Sequence, residues 1–388
     1  MSRIVVLGYI VRGPLGGLAW HHLQYVTGLL ALGHDVLFVE DSDDYPSCYD
    51  PSRHVVDTDP SYGLRFAAET FERAGAGGLW AYHDAHTGRW LGAAAARARA
   101  FCESADLVLN LSGVNPLRDW LAGAPARALV DTDPAFTQIR HLKDPAMRER
   151  ALGHTAFFTF GENFGQPGCS IPDDGLPWMP TRQPITLAAW EVTAGPESGP
   201  FTTVLQWDSY AAREHGGRRF GMKSESFAEF LDLPSACPET FELALGTAAA
   251  PRDLLRAKGW RIRDPLELAD AASYQRYLRS SKGEWSVAKQ GYVASRSGWF
   301  SERSASYLAS GRPVAVEDTG FTDWLEAGEG VVPFRTFREA VDAVARISGD
   351  YRRHCRAARE MAASFFDAAK VLPLLVERAM SPCAEPGR

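Results

Sequence analysis

Several things are scarce or missing in this sequence of 388 residues. No stretch approaches the roughly 20 consecutive apolar residues that a membrane-spanning helix needs. No block of Lys and Arg is long enough to track a phosphate backbone, and 41 basic against 48 acidic side chains leave a net charge of -7, so a nucleic-acid partner is not expected. Closely spaced cysteines are also lacking: Cys48, Cys102, Cys169, Cys237, Cys355 and Cys383 stand far apart. That spacing excludes a zinc knuckle or redox dithiol and fits unpaired thiols in a reducing compartment. The opening MSRIVVLGYIVRGPLGG turns to glycine and polar residues after a run of only strand length, unlike a signal peptide. A cytoplasmic protein is expected. What is present is ordinary for a globular chain: 45% hydrophobic, 23% charged and 11% aromatic residues. The length suggests two or three domains of about 100–200 residues each.

Proline and glycine are distributed unevenly. Pro167, Pro172, Pro177, Pro180, Pro184, Pro196 and Pro200, with Gly168, Gly175, Gly195 and Gly199, fall in one segment, a density that a helix or central strand does not tolerate. This segment reads as a connection packed along the surface, dividing the chain into a first domain (1–166), the connection (167–200), a second domain (201–365) and a C-terminal helix and tail (366–388) folding back on the first.

Each half alternates buried strands with helical patterns. In the first, Ile4–Leu7, Val36–Val39, Leu107–Leu111, Ala128–Val130 and Ala156–Phe160 are short apolar runs, and the helix expected over Trp20–Leu32 makes the opening a βαβ unit. In the second, Thr202–Trp207, Phe241–Leu245, Trp260–Ile262, Trp285–Ala288 and Pro313–Val316 repeat the pattern. The fold class is α/β, two Rossmann-like parallel-sheet domains facing a cleft. Ligands of open parallel sheets bind beyond the carboxyl ends of the strands. Polar residues gather at those ends in the first half: Gly16 and Gly17, Ser112 and Asn115, Asp131 and Asp133, Glu162 and Asn163. Small polar residues also cap helices and make turns. With the acidic group Glu40, Asp41, Asp43 and Asp44 after the second strand, five such clusters on one rim nevertheless mark an acceptor-side site.

The most informative stretch runs from Gly298 to Phe321. Ser301 is an N-cap, Ala305, Leu308 and Ala309 share an apolar face, Gly311 ends the helix and Pro313 opens a strand. The free amides of that helix start, the helix dipole, the hydroxyls of Ser301 and Ser304, and the Arg303 fork suit a diphosphate, with Ser306 or Glu302 a candidate for the ribose. The segment resembles the donor-binding signature of GT-B-fold glycosyltransferases, carried here by Tyr307-Leu-Ala-Ser-Gly-Arg-Pro-Val314 and Glu317-Asp318-Thr319-Gly320-Phe321. The resemblance implies that Arg218, Arg219 and Lys223 neutralise the diphosphate. It also implies that Gly246 and Arg263 lie near the nucleoside and that the 317–320 loop approaches the sugar. Two positions depart from the family pattern: Gly298 and Ser306 stand where Glu or His, and Glu, are common.

A resemblance of this kind implies a transferase that moves a hexosyl or deoxysugar group from a UDP-, TDP- or GDP-sugar co-substrate, with no bound cofactor and no metal. The acceptor would be the hydroxyl of a small molecule or glycan. His22 or His21, at the start of the first helix, would take the acceptor proton if configuration inverts, oriented by Asp131, Asp133 or Glu162. If configuration is retained, the leaving phosphate takes the proton. The glycine-rich loop lacks G-x-G-x-x-G spacing, which makes hydride transfer less favoured. A nucleotide-sugar 2-epimerase and a non-catalytic sugar- or nucleotide-binding module of the same fold are the alternatives.

Overall fold

The computed structural model describes residues 1–381; Cys383 and the rest of the expected tail, 382–388, lie outside the described residues. Two parallel sheets organise the chain. The first has eight strands in the spatial order Trp178–Pro180, Ala156–Thr159, Ala126–Asp131, Leu107–Leu111, Arg3–Leu7, Asp35–Asp41, Trp80–Asp84, Arg89–Leu91. Every pairing is parallel except the last, a hairpin. Ile4, Val5, Val6 and Leu7 are wholly buried because helices cover both faces of this central strand. Val5 lies between Leu37 and Val108 in register.

The second sheet runs Arg261–Arg263, Phe241–Gly246, Phe201–Gln206, Gly283–Ser286, Val314–Glu317, Val331–Phe334 and is parallel throughout. In both sheets the order reverses at the first strand, creating a crevice at the carboxyl ends.

The connection carries more structure than its prolines suggest. Trp178–Pro180 is an edge strand of the first sheet, where a missing N–H does no harm. Farther on, Ile185 is stitched to the returning chain: its N–H donates to the Phe366 carbonyl (2.6 Å) and its carbonyl accepts from Ala368 N (2.9 Å). The helix Ala368–Met380 then packs on the first sheet and the first helix, placing Leu372, Leu375 and Val376 in the main core.

The first helix is Gly16–Ala31, four residues longer at its start than its apolar pattern predicts. Glycine is a poor helix former, but a Cβ at Gly16 would come within 2.5 Å of the Asp270 carbonyl oxygen in the other half. Close approach of the halves outweighs local propensity there. Two small hairpins, Cys48–Asp50 with Val55–Asp57 and Arg213–His215 with Arg218–Phe220, are insertions that no apolar run announced.

Candidate functional site

Between the carboxyl edges of the two sheets lies a cavity of about 830 Å³, within the range of small-molecule sites. The helix Glu302–Ala309 points its N-terminus into it: Ser301, Glu302 and Arg303 all line the cavity. Ser301 Oγ caps the helix by accepting from Arg303 N (3.2 Å), while the other first-turn amides have no intrahelical acceptor.

Lys223, also on this wall, has no hydrogen bond or ion pair among the described residues. Burial, with Arg303 and Lys289 nearby, pushes its ammonium down to about 7. Glu302 and Glu284 oppose that shift from nearby without pairing with the ammonium, and an anion arriving beside it would raise the pKa again. Gly246, Thr247 and the 264–268 loop complete the far end of the same wall.

Other expected donor residues sit differently. Arg303 reaches the cavity, but its Nε pairs with the buried Glu284, one terminal nitrogen donates to the Val204 carbonyl (2.9 Å) and the other to Ser286 Oγ (2.7 Å). Its fork is occupied inside its own domain. Arg218 and Arg219 belong to the exposed hairpin, and Arg219 is paired bidentately with Glu225. Neither lines the cavity. Arg263 bridges Glu242 (2.7 Å) and Glu267 (2.6 Å) on the sheet edge, leaving the adjacent Asp264–Leu268 stretch to face the cleft.

Behind the helix start, Ser304, Glu317 and Thr319 line a separate cavity of about 20 Å³ shared with Ser301. Burial lifts Glu317 to about 7, and its Oε2 accepts from Ala288 N. Asp318 is tied to Arg335 and Thr322, and its Oδ1 caps Gly320 N. Ser306 Oγ donates back to the Glu302 carbonyl (3.0 Å) and faces a side cavity, not the main one. This loop is therefore built for support more than for contact across the main cleft.

Gly298 has a physical explanation. Its φ is +74°, and a Cβ would lie 2.8 Å from Asn163, whose amide donates to the carbonyls of Gly320 (2.9 Å) and Arg296 (3.1 Å). Asn163, expected on the acceptor side, is a seam residue between the halves. No side chain larger than hydrogen fits opposite it.

On the first-half wall, the two histidines separate cleanly. His22 is fully buried and both ring nitrogens are used: Nδ1 with the Leu18 carbonyl (2.7 Å) and Nε2 accepting from Tyr9 N (3.2 Å). Burial and neighbouring His21 hold it neutral. It positions the loop and does not reach the cavity, which corrects its expected role as base. His21 does line the cavity, and its Nε2 has no partner. Burial lowers its pKa, while Glu302 acts in the opposite direction. The Glu302 carboxylate is itself without a hydrogen bond or ion pair among the described residues.

Asp133 lines the cavity but is clamped. Lys289 Nζ (2.8 Å) and the Tyr292 hydroxyl donate to one oxygen, and the Tyr210 hydroxyl donates to the other. Burial alone would raise this carboxyl, yet Lys289 and the phenols bring it below the usual range. So neutralised, it is a poor proton acceptor. Lys289 in turn sits 4.9 Å from the Phe136 ring centroid and 4.5 Å from that of Tyr210. This cation–carboxylate–phenol knot was not foreseen from sequence, because its members lie up to 159 positions apart.

Asp131, one step below, accepts from Thr159, Gln138 and Asp133 N and is buried. Asn115 binds Arg12, Asp41 N and the Gly8 carbonyl, and Glu162 pairs with Arg182. None of these three faces the cavity. Gly16, Gly17 and Ser112 do. Trp20, Tyr25, Trp80, Tyr82, Trp120 and Trp178 are all buried in the core and none lines the cavity.

No family model matches the chain, and no curated protein matches it by sequence. Solved structures do match, across nearly its whole length. An alpha-glucosyltransferase, AGT, in complex with UDP is 11% identical with a TM-score of 0.55, over 98% of this chain and 100% of that one. HepE from Anabaena, in complex with UDP and glucose, is 12% identical with a TM-score of 0.53, over 97% and 99%. AviGT4, a glycosyltransferase involved in avilamycin A biosynthesis, is 14% identical with a TM-score of 0.50, over 98% and 97%. The architecture is thus the GT-B fold. The alpha-glucosyltransferase is also solved with UDP and a 13-mer DNA, so the expected absence of a nucleic-acid partner gains no support from these likenesses. No helix among the described residues is long and apolar enough to cross a membrane.

Proposed function

We propose that this chain, built on the GT-B fold, is a glycosyltransferase that moves a hexosyl or deoxysugar group from a nucleotide-diphosphate sugar to an acceptor hydroxyl. One observation carries the reading: an unpaired cation, Lys223, and the open N-terminus of the helix Glu302–Ala309 share the wall of a cavity between two sheets. A leaving nucleotide diphosphate gathers negative charge as the glycosidic bond breaks, and fixed positive groups aimed at it lower that barrier. Lys223 supplies the charge and the first-turn amides supply donors, while Arg303 is neutralised by Glu284 and the Glu302 carboxylate at the helix start must turn away from the phosphates. The nucleoside would lie along Gly246, Thr247 and the 264–268 loop.

The acceptor hydroxyl would rest against the first half. His21 lines the cavity with its buried Nε2 unpartnered, and in an inverting reaction it is the residue we assign to receive that proton. In a retaining reaction the leaving phosphate takes the proton and His21 serves only to orient. The reading includes transfer without a metal and a cytoplasmic location. UDP, TDP and GDP titrated calorimetrically, followed by donor hydrolysis with and without EDTA, test it. Binding of one nucleotide diphosphate with EDTA-resistant turnover is the expected result. Binding without any turnover over a broad acceptor panel would instead identify a binding module, and rearrangement of the donor sugar without acceptor would identify an epimerase.

A further inference from the structure

Three neighbouring strands of the first sheet each deliver one hydroxyl to the cavity rim. Tyr9 follows Arg3–Leu7 by two residues, Ser112 follows Leu107–Leu111 directly, and Thr132 follows Ala126–Asp131 directly. These strands are adjacent in the sheet, and all three side chains line the cavity. Ser112 Oγ and Thr132 Oγ1 share a hydrogen bond of 2.8 Å, and the Tyr9 phenol stands on the same rim one strand away.

The row is held in place with some effort. Ser112 has φ +61° and is followed by Gly113 at +62°, a left-handed pair that turns the Ser112 hydroxyl along the rim. Tyr9 is fixed by His22, which accepts its backbone N–H (3.2 Å) and packs edge-on against its ring at 4.8 Å. This gives the buried histidine a purpose.

We propose that this hydroxyl row is the acceptor-recognition element and that the acceptor is a polyol, a sugar or cyclitol, in preference to a phenol, an apolar aglycone or a nucleic acid. Hydroxyls donate and accept; three of them, with one bond between Ser112 and Thr132, retain both capacities toward the cavity, which matches a ligand whose own hydroxyls do the same. A phosphate backbone would need cations, and the first-half wall carries no Lys or Arg. The Tyr9 ring is engaged by His22 and that of Trp299 lies 4.6 Å from Tyr292, so neither offers a free face to a flat aromatic.

The inference rests on the glycosyl-transfer reading for what happens to the bound polyol, but not for the binding itself. The test is saturation-transfer NMR on the full chain in the presence of UDP, with methyl glucoside, methyl galactoside and myo-inositol against a simple phenol and a DNA oligonucleotide. Thr132→Val and Tyr9→Phe, each removing one hydroxyl, are run beside the parent, and UDP affinity is measured separately by calorimetry. The expected result is saturation transfer to at least one polyol, weakened tenfold or more by either variant, with the UDP Kd within twofold of the parent. Binding of the phenol or DNA but no polyol, or polyol binding indifferent to both substitutions, overturns the proposal. Hydroxyl-dependent polyol binding without any UDP binding would sink the donor reading and leave this one standing. Tyr9→Phe keeps the ring in its packing, so the outcome stays readable even if Thr132→Val unfolds.

Discussion

Lys223 ties titration to function most directly. Its ammonium titrates near 7 in the free protein, and an anion at the helix start would favour the charged form. Below that pH the cation is already present and binding needs no proton. Above it, each further pH unit costs about 1.4 kcal/mol to recharge the amine before the anion is held. UDP-glucose affinity should therefore be flat below pH 7 and fall by up to tenfold per unit above it, as followed by calorimetry between pH 6 and 9. Lys223→Gln should lower affinity and flatten the profile; a variant with the parent's slope would assign the titration elsewhere.

The two histidines make opposite predictions. His21→Ala should reduce kcat by about 100-fold or more if it acts as base, with thermal stability near that of the parent. His22→Ala should destabilise by about 2–4 kcal/mol, since it opens a cavity and strips the Tyr9 amide and Leu18 carbonyl of their partner. Denaturant titration separates the two effects. Adjacent in sequence, they differ only in which way the helix turns them.

Among the elements, the helix Glu302–Ala309 is the one whose start, end and cap could be read directly: Ser301, the spacing of Ala305, Leu308 and Ala309, and Gly311 agree with what is observed. What its first turn does with Arg303 could not be read. The side chain turns inward because Glu284, wholly buried on the neighbouring strand, needs a counter-charge. Arg303→Ala should thus cost about 3–5 kcal/mol of stability by leaving that carboxylate unpaired. Glu284→Gln combined with Arg303→Met should recover much of the loss in urea unfolding. A small effect of the single substitution would mean that the pair contributes little.

Taken whole, the molecule holds its halves together at several places around the cleft. Asn163 bonds to Gly320 and Arg296, Trp20 Nε1 donates to the Ala271 carbonyl (2.8 Å), and Gln183 donates to the Phe300 carbonyl (3.1 Å). Asp133 meets Lys289, Tyr210 and Tyr292 at the cleft itself. Lys289→Met should destabilise by roughly 3 kcal/mol because the carboxylate is left without its cation. Asp133→Asn on the same background should restore part of it, and the coupling is read from a double-mutant cycle. Simple additivity would show that the knot is not cooperative.

Apolar runs of strand length, the glycine and proline that end them and the cap of one helix are local signals, and each was legible in the sequence because backbone geometry and burial act over a few residues. From them followed the alternating α/β pattern and the helix start that meets the cleft. Which side chains reach the cleft was settled by contacts between residues far apart. Arg218, Arg219, Arg263 and Arg303 had the right charge in the right neighbourhood, but nearby carboxylates and carbonyls claimed all of them except Arg218, which is exposed on a hairpin. Lys223, by contrast, forms no ion pair among the described residues, although Glu302 and Glu284 lie near enough to act on its charge. A cation's availability depends on every group that can neutralise it, and only the packed tertiary structure brings those groups within reach.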